Sequence, residues 1–166
     1  MDKIVAIINE DGSVCILYPA PEMFDPNSKT RSLVPELDNK TNDEILAWII
    51  KKDVPNNAKG YKIMALEDLP SDRMFRGAWV YSEVLGIGID IPKAQNIKLA
   101  ELREIRKPKL EMLDVMYMRA DESNDIELKA EIAEVKQKLR DVTKIPLPDS
   151  VAELKEFMPD ILKSND

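Results

Sequence analysis

An α+β fold is predicted for this 166-residue chain. A small N-terminal antiparallel β-rich domain with one helix spans residues 1–91. A long C-terminal α-helical hairpin and a short last helix span residues 92–166. Three observations predict it. Asp11-Gly12 stands between two β-rich runs, Ile4-Val5-Ala6-Ile7-Ile8 and Val14-Cys15-Ile16-Leu17-Tyr18. Both turn residues tolerate positive φ, a strong short-range hairpin signal. Leu128, Ile132, Val135, Leu139 and Val142 recur at steps of four, three, four and three, near the repeat at which one helix beds against another. A preceding stripe, Leu102, Ile105, Met112, Leu113, Met116 and Ala120, supplies the inner face of the other arm.

The elements follow in order. Residues 3–18 form a β-hairpin whose runs do not alternate cleanly, which fits burial on both faces. Residues 19–40 hold Pro19, Pro21, Pro26 and Pro35 and are predicted as an extended loop. Thr41 and Glu44 make a capping box for a helix with Ile45, Leu46, Trp48, Ile49 and Ile50, ended at Val54-Pro55. Tyr61 to Leu66 reads as a third strand at a sheet edge. Asp72 or Ser71 caps a short helical turn through Phe75, ended by Gly77. Trp79-Val80-Tyr81 and Ile87-Gly88-Ile89 form a second short hairpin. Pro92 suits the first turn of the long helix, which Pro108 kinks without splitting. Residues 121–125 turn the chain, with Ser123 or Asn124 as the next N-cap. Pro146 and Pro148 mark a linker. Ser150 and Glu153 make a second capping box before a last helix with Leu154, Phe157 and Met158.

Composition narrows the function. The net charge is -7, and aromatic residues make up 5%, so a nucleic-acid backbone is an unsuitable partner. There is no histidine and one cysteine, Cys15. The usual base near neutral pH, the commonest zinc ligand and any internal disulfide are thereby removed. The first 30 residues have no signal-peptide pattern. No stretch approaches the roughly 18 apolar residues of a membrane span. The chain reads as a cytoplasmic protein without cofactor or metal, and not as an enzyme.

Each candidate for chemistry has a plainer reading beside it. Asp114, Asp121, Glu122 and Asp125 lack the glycine and closing acid of an EF-hand loop, so a solvated turn is favoured over a metal site. Leu85-Gly86-Ile87-Gly88-Ile89 lacks the third glycine of a dinucleotide fingerprint and fits a hairpin turn. Lys98, Arg103, Arg106, Lys107 and Lys109 form either a face for an acidic partner or a solvated face. Residues 92–143 hold 11 basic and 11 acidic residues, which favours the solvated face. Asp72, Arg73, Phe75, Arg76 and Trp79 form either a capped turn with satellite core or a recognition corner for a partner. Leu128, Ile132, Val135 and Leu139 form either an internal seam or a partner surface. Met112, Met116 and Met118 are read as core, or as an adaptable docking surface if they face outward.

Two stretches also carry a resemblance. The first is Leu69-Pro70-Ser71-Asp72-Arg73-Met74-Phe75-Arg76-Gly77-Ala78-Trp79. The second is Leu113-Asp114-Val115-Met116-Tyr117-Met118-Arg119-Ala120, followed by Lys136-Gln137-Lys138-Leu139-Arg140-Asp141-Val142. Together they resemble small tail-region proteins of bacteriophages and prophages, a loose group of tail-fibre assembly chaperones and tail accessory proteins. The likeness covers residues 42–160. It implies a non-enzymatic role in which the chain binds a phage tail or fibre protein in the host cytoplasm. The alternative is a permanent virion component that forms a homo-oligomer through the helical hairpin.

Overall fold

The computed structural model describes residues 3–163. The α+β expectation holds at the level of architecture: a β-sheet region comes first and long helices follow. The chain divides into two compact units, residues 1–90 and 91–166.

In the first unit, β1 (Lys3–Ile8), β2 (Val14–Leu17) and β3 (Gly60–Ala65) form an antiparallel sheet in the order β2-β1-β3. Gly12 adopts φ 79° in the turn between β1 and β2, a conformation costly for a residue with a Cβ. The central strand is buried on both faces. Val5 and Ile7 pack with Leu46 and Ile50 of α2 (Asn42–Asp53). Ile4 and Ala6 pack with Val14, Leu69 and Trp79. That double burial explains the unbroken apolar run of β1. β4 (Trp79–Ser82) and β5 (Gly86–Ile89) form a separate two-stranded sheet. Gly86 sits in its turn at φ 70°, so the glycine string belongs to a hairpin.

The expected capping box is present. The Glu44 amide donates to the Thr41 hydroxyl, and the Thr41 amide donates to the Glu44 carboxylate at 2.9 Å. The expectation of one helix in this region is corrected. A short α1 (Lys29–Ser32) precedes α2, and 3-10 turns occupy Pro21–Met23, Pro35–Leu37, Leu66–Asp68 and Arg76–Ala78. Two prolines of the 19–40 segment open 3-10 turns, where their missing N–H costs nothing. Buried Arg31 then organises the segment, donating to the carbonyls of Leu37 at 2.8 Å and Lys40 at 3.2 Å. Leu37 is buried against Ile45 and Ile49. The turn predicted to run through Phe75 lies instead at Arg76–Ala78 and contains Gly77.

In the second unit, α3 (Ile91–Glu122) is one continuous helix with Pro108 inside it. α4 (Ile126–Asp141) follows after a three-residue connection, and α5 (Val151–Glu156) is the last α-helix. The cap of α4 is Asp125, whose carboxylate accepts from the Leu128 amide at 3.0 Å. Neither Ser123 nor Asn124 has that role, because Asn124 takes the positive φ (56°) that reverses the chain. Ser150 precedes α5 without a side-chain cap bond. Phe157 and Met158 lie beyond that helix but still pack against Leu102, Leu113, Ile132, Leu139 and Leu162.

Candidate functional site

The predicted seam of α4 divides between core and surface. Ile132 and Leu139 are 3% and 2% exposed, whereas Leu128 and Val135 are 37% and 39% exposed. Positions 132 and 139 lie seven residues apart on the line facing α3. Positions 128 and 135 share a line rotated to one side of it. The α3 stripe divides in the same way. Leu102, Leu113 and Ala120 are buried, while Met112 and Met116 are 59% and 39% exposed. Met118 is exposed as well.

The flanks of the α3–α4 contact differ in chemistry. On one flank Asp114 pairs with Lys136 at 2.5 Å, and Asp121 pairs with Lys129. Both ammonium groups lie over Tyr117, at 5.1 Å and 5.6 Å from its ring centre. Elsewhere along the contact, Met112, Leu113, Val135 and Leu139 line an open groove of about 410 Å3. Asp160, Ile161 and Lys163 line it too. Three members of the acid cluster are therefore engaged apart from one another, Asp114 and Asp121 in ion pairs and Asp125 in the α4 cap. Among the described residues, no group of histidine, cysteine or carboxylate side chains is placed to hold a metal ion.

Three members of the basic run are engaged inside the second unit. Arg106 donates to the Arg140 carbonyl at 2.9 Å and to the Thr143 hydroxyl at 3.3 Å. Lys109 donates to the carbonyls of Ile161 and Leu162, each at 3.1 Å. Lys98 is buried, pairs with Glu101 at 3.2 Å and donates to the Lys155 carbonyl at 3.2 Å. The last carbonyls of a helix have no partner within it, and cations satisfy them well. These residues are clamps on the ends of later helical segments, a role that spacing along α3 alone does not reveal.

The string around Asp72 divides as well. Phe75 and Trp79 are buried, and the Trp79 Nε1–H has no acceptor among the described residues. Asp72 is exposed and accepts from the Met74 amide at 2.9 Å. Arg73 and Arg76 are exposed on the rim of a groove of about 370 Å3, which Val14, Cys15, Ile16 and Tyr18 also line. Arg73 lies over the Tyr18 ring at 5.8 Å. Neither arginine has an ion-pair partner among the described residues. Sequence reading missed a larger groove of about 540 Å3, whose walls include Leu46 and Ile50 of α2 and Tyr61 and Ile63 of β3. Its one signal was the apolar content of the outer strand.

Compared with protein-family models, curated proteins and solved structures, the chain matches none. No described helix is long and apolar enough to cross a membrane.

Proposed function

We propose that this chain is a protein-binding assembly factor of the phage tail or tail-fibre type, acting without catalysis. In this reading α3 and α4 form a helical hairpin that temporarily covers apolar surface on a folding tail or fibre subunit. The observation that carries it is the exposed set Met112, Met116, Leu128 and Val135 beside an open groove. Buried contacts to Ile132 and Leu139 hold the helices, while the neighbouring apolar positions are left to a partner. Methionine suits such a surface because its unbranched, polarizable side chain adapts to different shapes. The likeness of the Leu69–Trp79 string and the helical pieces to phage tail-region proteins supplies the context.

Co-expression with a tail or fibre protein encoded beside this chain tests the reading. The wild type is expected to raise the partner's soluble yield. A Met112→Asp/Val135→Asp variant is expected to fold with an unchanged circular dichroism spectrum and to lose that effect. An unchanged partner yield with the wild type would remove the chaperone reading. Mass spectrometry of purified particles separates the alternative: fixed stoichiometry in mature virions would identify a permanent component that oligomerises through the hairpin.

A further inference from the structure

We propose that the outer edge of β2 is a strand-addition site for an extended, carboxylate-bearing segment of a partner protein. The inference concerns the first unit and does not depend on the helical surface above.

β2 pairs with β1 along one side only. The Asn9 amide donates to the Ser13 carbonyl at 2.9 Å, which sets the phase of the ladder. Antiparallel pairs alternate between residues that exchange hydrogen bonds and residues that do not. In the observed register, Cys15 and Leu17 therefore direct their backbone groups to β1, and Val14 and Ile16 direct theirs outward. On that outer side β4 meets the strand at one isolated bridge, Ser13 with Val80, where the Tyr81 amide donates to the Gly12 carbonyl at 3.3 Å. The bridge takes up the Val14 end, and the outward groups of Ile16 face the groove. The antiparallel continuation would run toward Ala78 and Gly77. It is interrupted because Arg76–Ala78 curls into a 3-10 turn, closed by the Ala78 amide on the Phe75 carbonyl at 2.8 Å. The groove of about 370 Å3 lies between this turn and β2, within the ~300–1,000 Å3 range of ligand clefts.

Three features define the occupant. Outward backbone groups on an edge strand are a template for another extended chain. Edge strands are commonly protected by lysine or proline. β3, the opposite edge, carries Lys62, paired with Glu83 at 3.1 Å. Val14–Leu17 has neither charge nor proline. Finally, Arg73 and Arg76 stand at the rim without an ion-paired carboxylate among the described residues, although residues 1–90 hold 15 acidic against 10 basic residues. The planar guanidinium matches a carboxylate through two parallel hydrogen bonds, so the missing acids are assigned to the incoming strand.

The test uses the full chain and a fluorescein-labelled peptide alternating valine and glutamate, followed by anisotropy and by amide shifts in 15N-labelled protein. Saturable binding is expected, with the largest shifts at residues 14–18 and 73–79. Binding is expected to weaken by about tenfold or more in three cases: a valine-lysine peptide, a peptide N-methylated at alternate backbone nitrogens, and the Arg73→Ala/Arg76→Ala variant. Both arginines are exposed, so the variant is expected to keep its fold by circular dichroism. No binding, equal binding of the lysine or N-methylated peptide, or shifts elsewhere would each overturn the proposal. A dimer in light scattering that is lost in the arginine variant would replace the partner with a second copy.

Discussion

Two sets of cations in this chain meet opposite fates. Lys98, Arg106 and Lys109 of α3 reach backbone carbonyls near the ends of later segments. Arg73 and Arg76 reach the rim of a groove and meet no carboxylate among the described residues. In the sequence, the α3 run is the denser and more conspicuous of the two. The difference teaches that density of charge does not mark a docking site. A cation near a helix end is already occupied by the orphan carbonyls there. A cation on a loop beside an incomplete sheet edge has no such internal partner. The same distinction separates Ile132 and Leu139 from Leu128 and Val135 within α4.

The largest expected effect tests the division of α4. Leu139→Ala or Ile132→Ala is expected to destabilise the protein by about 2–5 kcal/mol, through lost burial and a cavity. Val135→Ala is expected to cost under about 1 kcal/mol, because much of the side chain remains in water. Chemical denaturation measures both. Equal losses would erase the distinction between seam and surface.

A smaller effect tests the cations. Arg106→Ala leaves helix-end carbonyls without their donor, and a loss of about 1–3 kcal/mol is expected. Arg76→Ala is expected to change stability by no more than about 0.5 kcal/mol. A large loss at Arg76 would show that it has an internal structural role and would undo the comparison.

The smallest effect concerns Glu44, an acid engaged as fully as the α3 cations. The Thr41 amide foremost, then Lys40 and the Thr41 hydroxyl, hold its carboxyl at about 2, below the ordinary 4.5. A lowered carboxyl pKa stabilises the fold at pH values above the unfolded pKa, and that contribution is lost as pH falls through the folded value. Thermal melts of wild type and Glu44→Gln are therefore expected to differ above pH 4.5 and to converge toward pH 2. A difference that persists unchanged at pH 2 would assign the effect to something other than the charged cap.

Much of the architecture was legible because its signals were local. Asp11-Gly12 marked a hairpin, Thr41 and Glu44 marked a helix start, and the apolar steps of α3 and α4 marked long helices. The 19–40 segment was not legible. Its order rests on Arg31 reaching carbonyls several residues away and on Leu37 meeting α2, while its prolines signal a loop. The site residues were found in part. Arg73 and Arg76 stand on a groove, but the groove owes its other wall to β2, more than 50 positions earlier in the chain. Phe75 and Trp79 share their string and are buried instead.

By itself, the sequence determined which segments are strands and helices over most of the chain, since periodicity, capping and turn chemistry act over a few residues. It also limited the available chemistry by carrying no histidine and a single cysteine. Only the tertiary structure decided which members of each pattern are engaged. Leu139 and Val135 differ by four positions, about one helical turn, yet Leu139 is 2% exposed and Val135 is 39% exposed. Arg106 and Arg76 carry the same guanidinium, yet only Arg106 meets a helix end. Burial and partnering depend on residues distant in sequence, and that dependence separates a structural side chain from one left available to a partner.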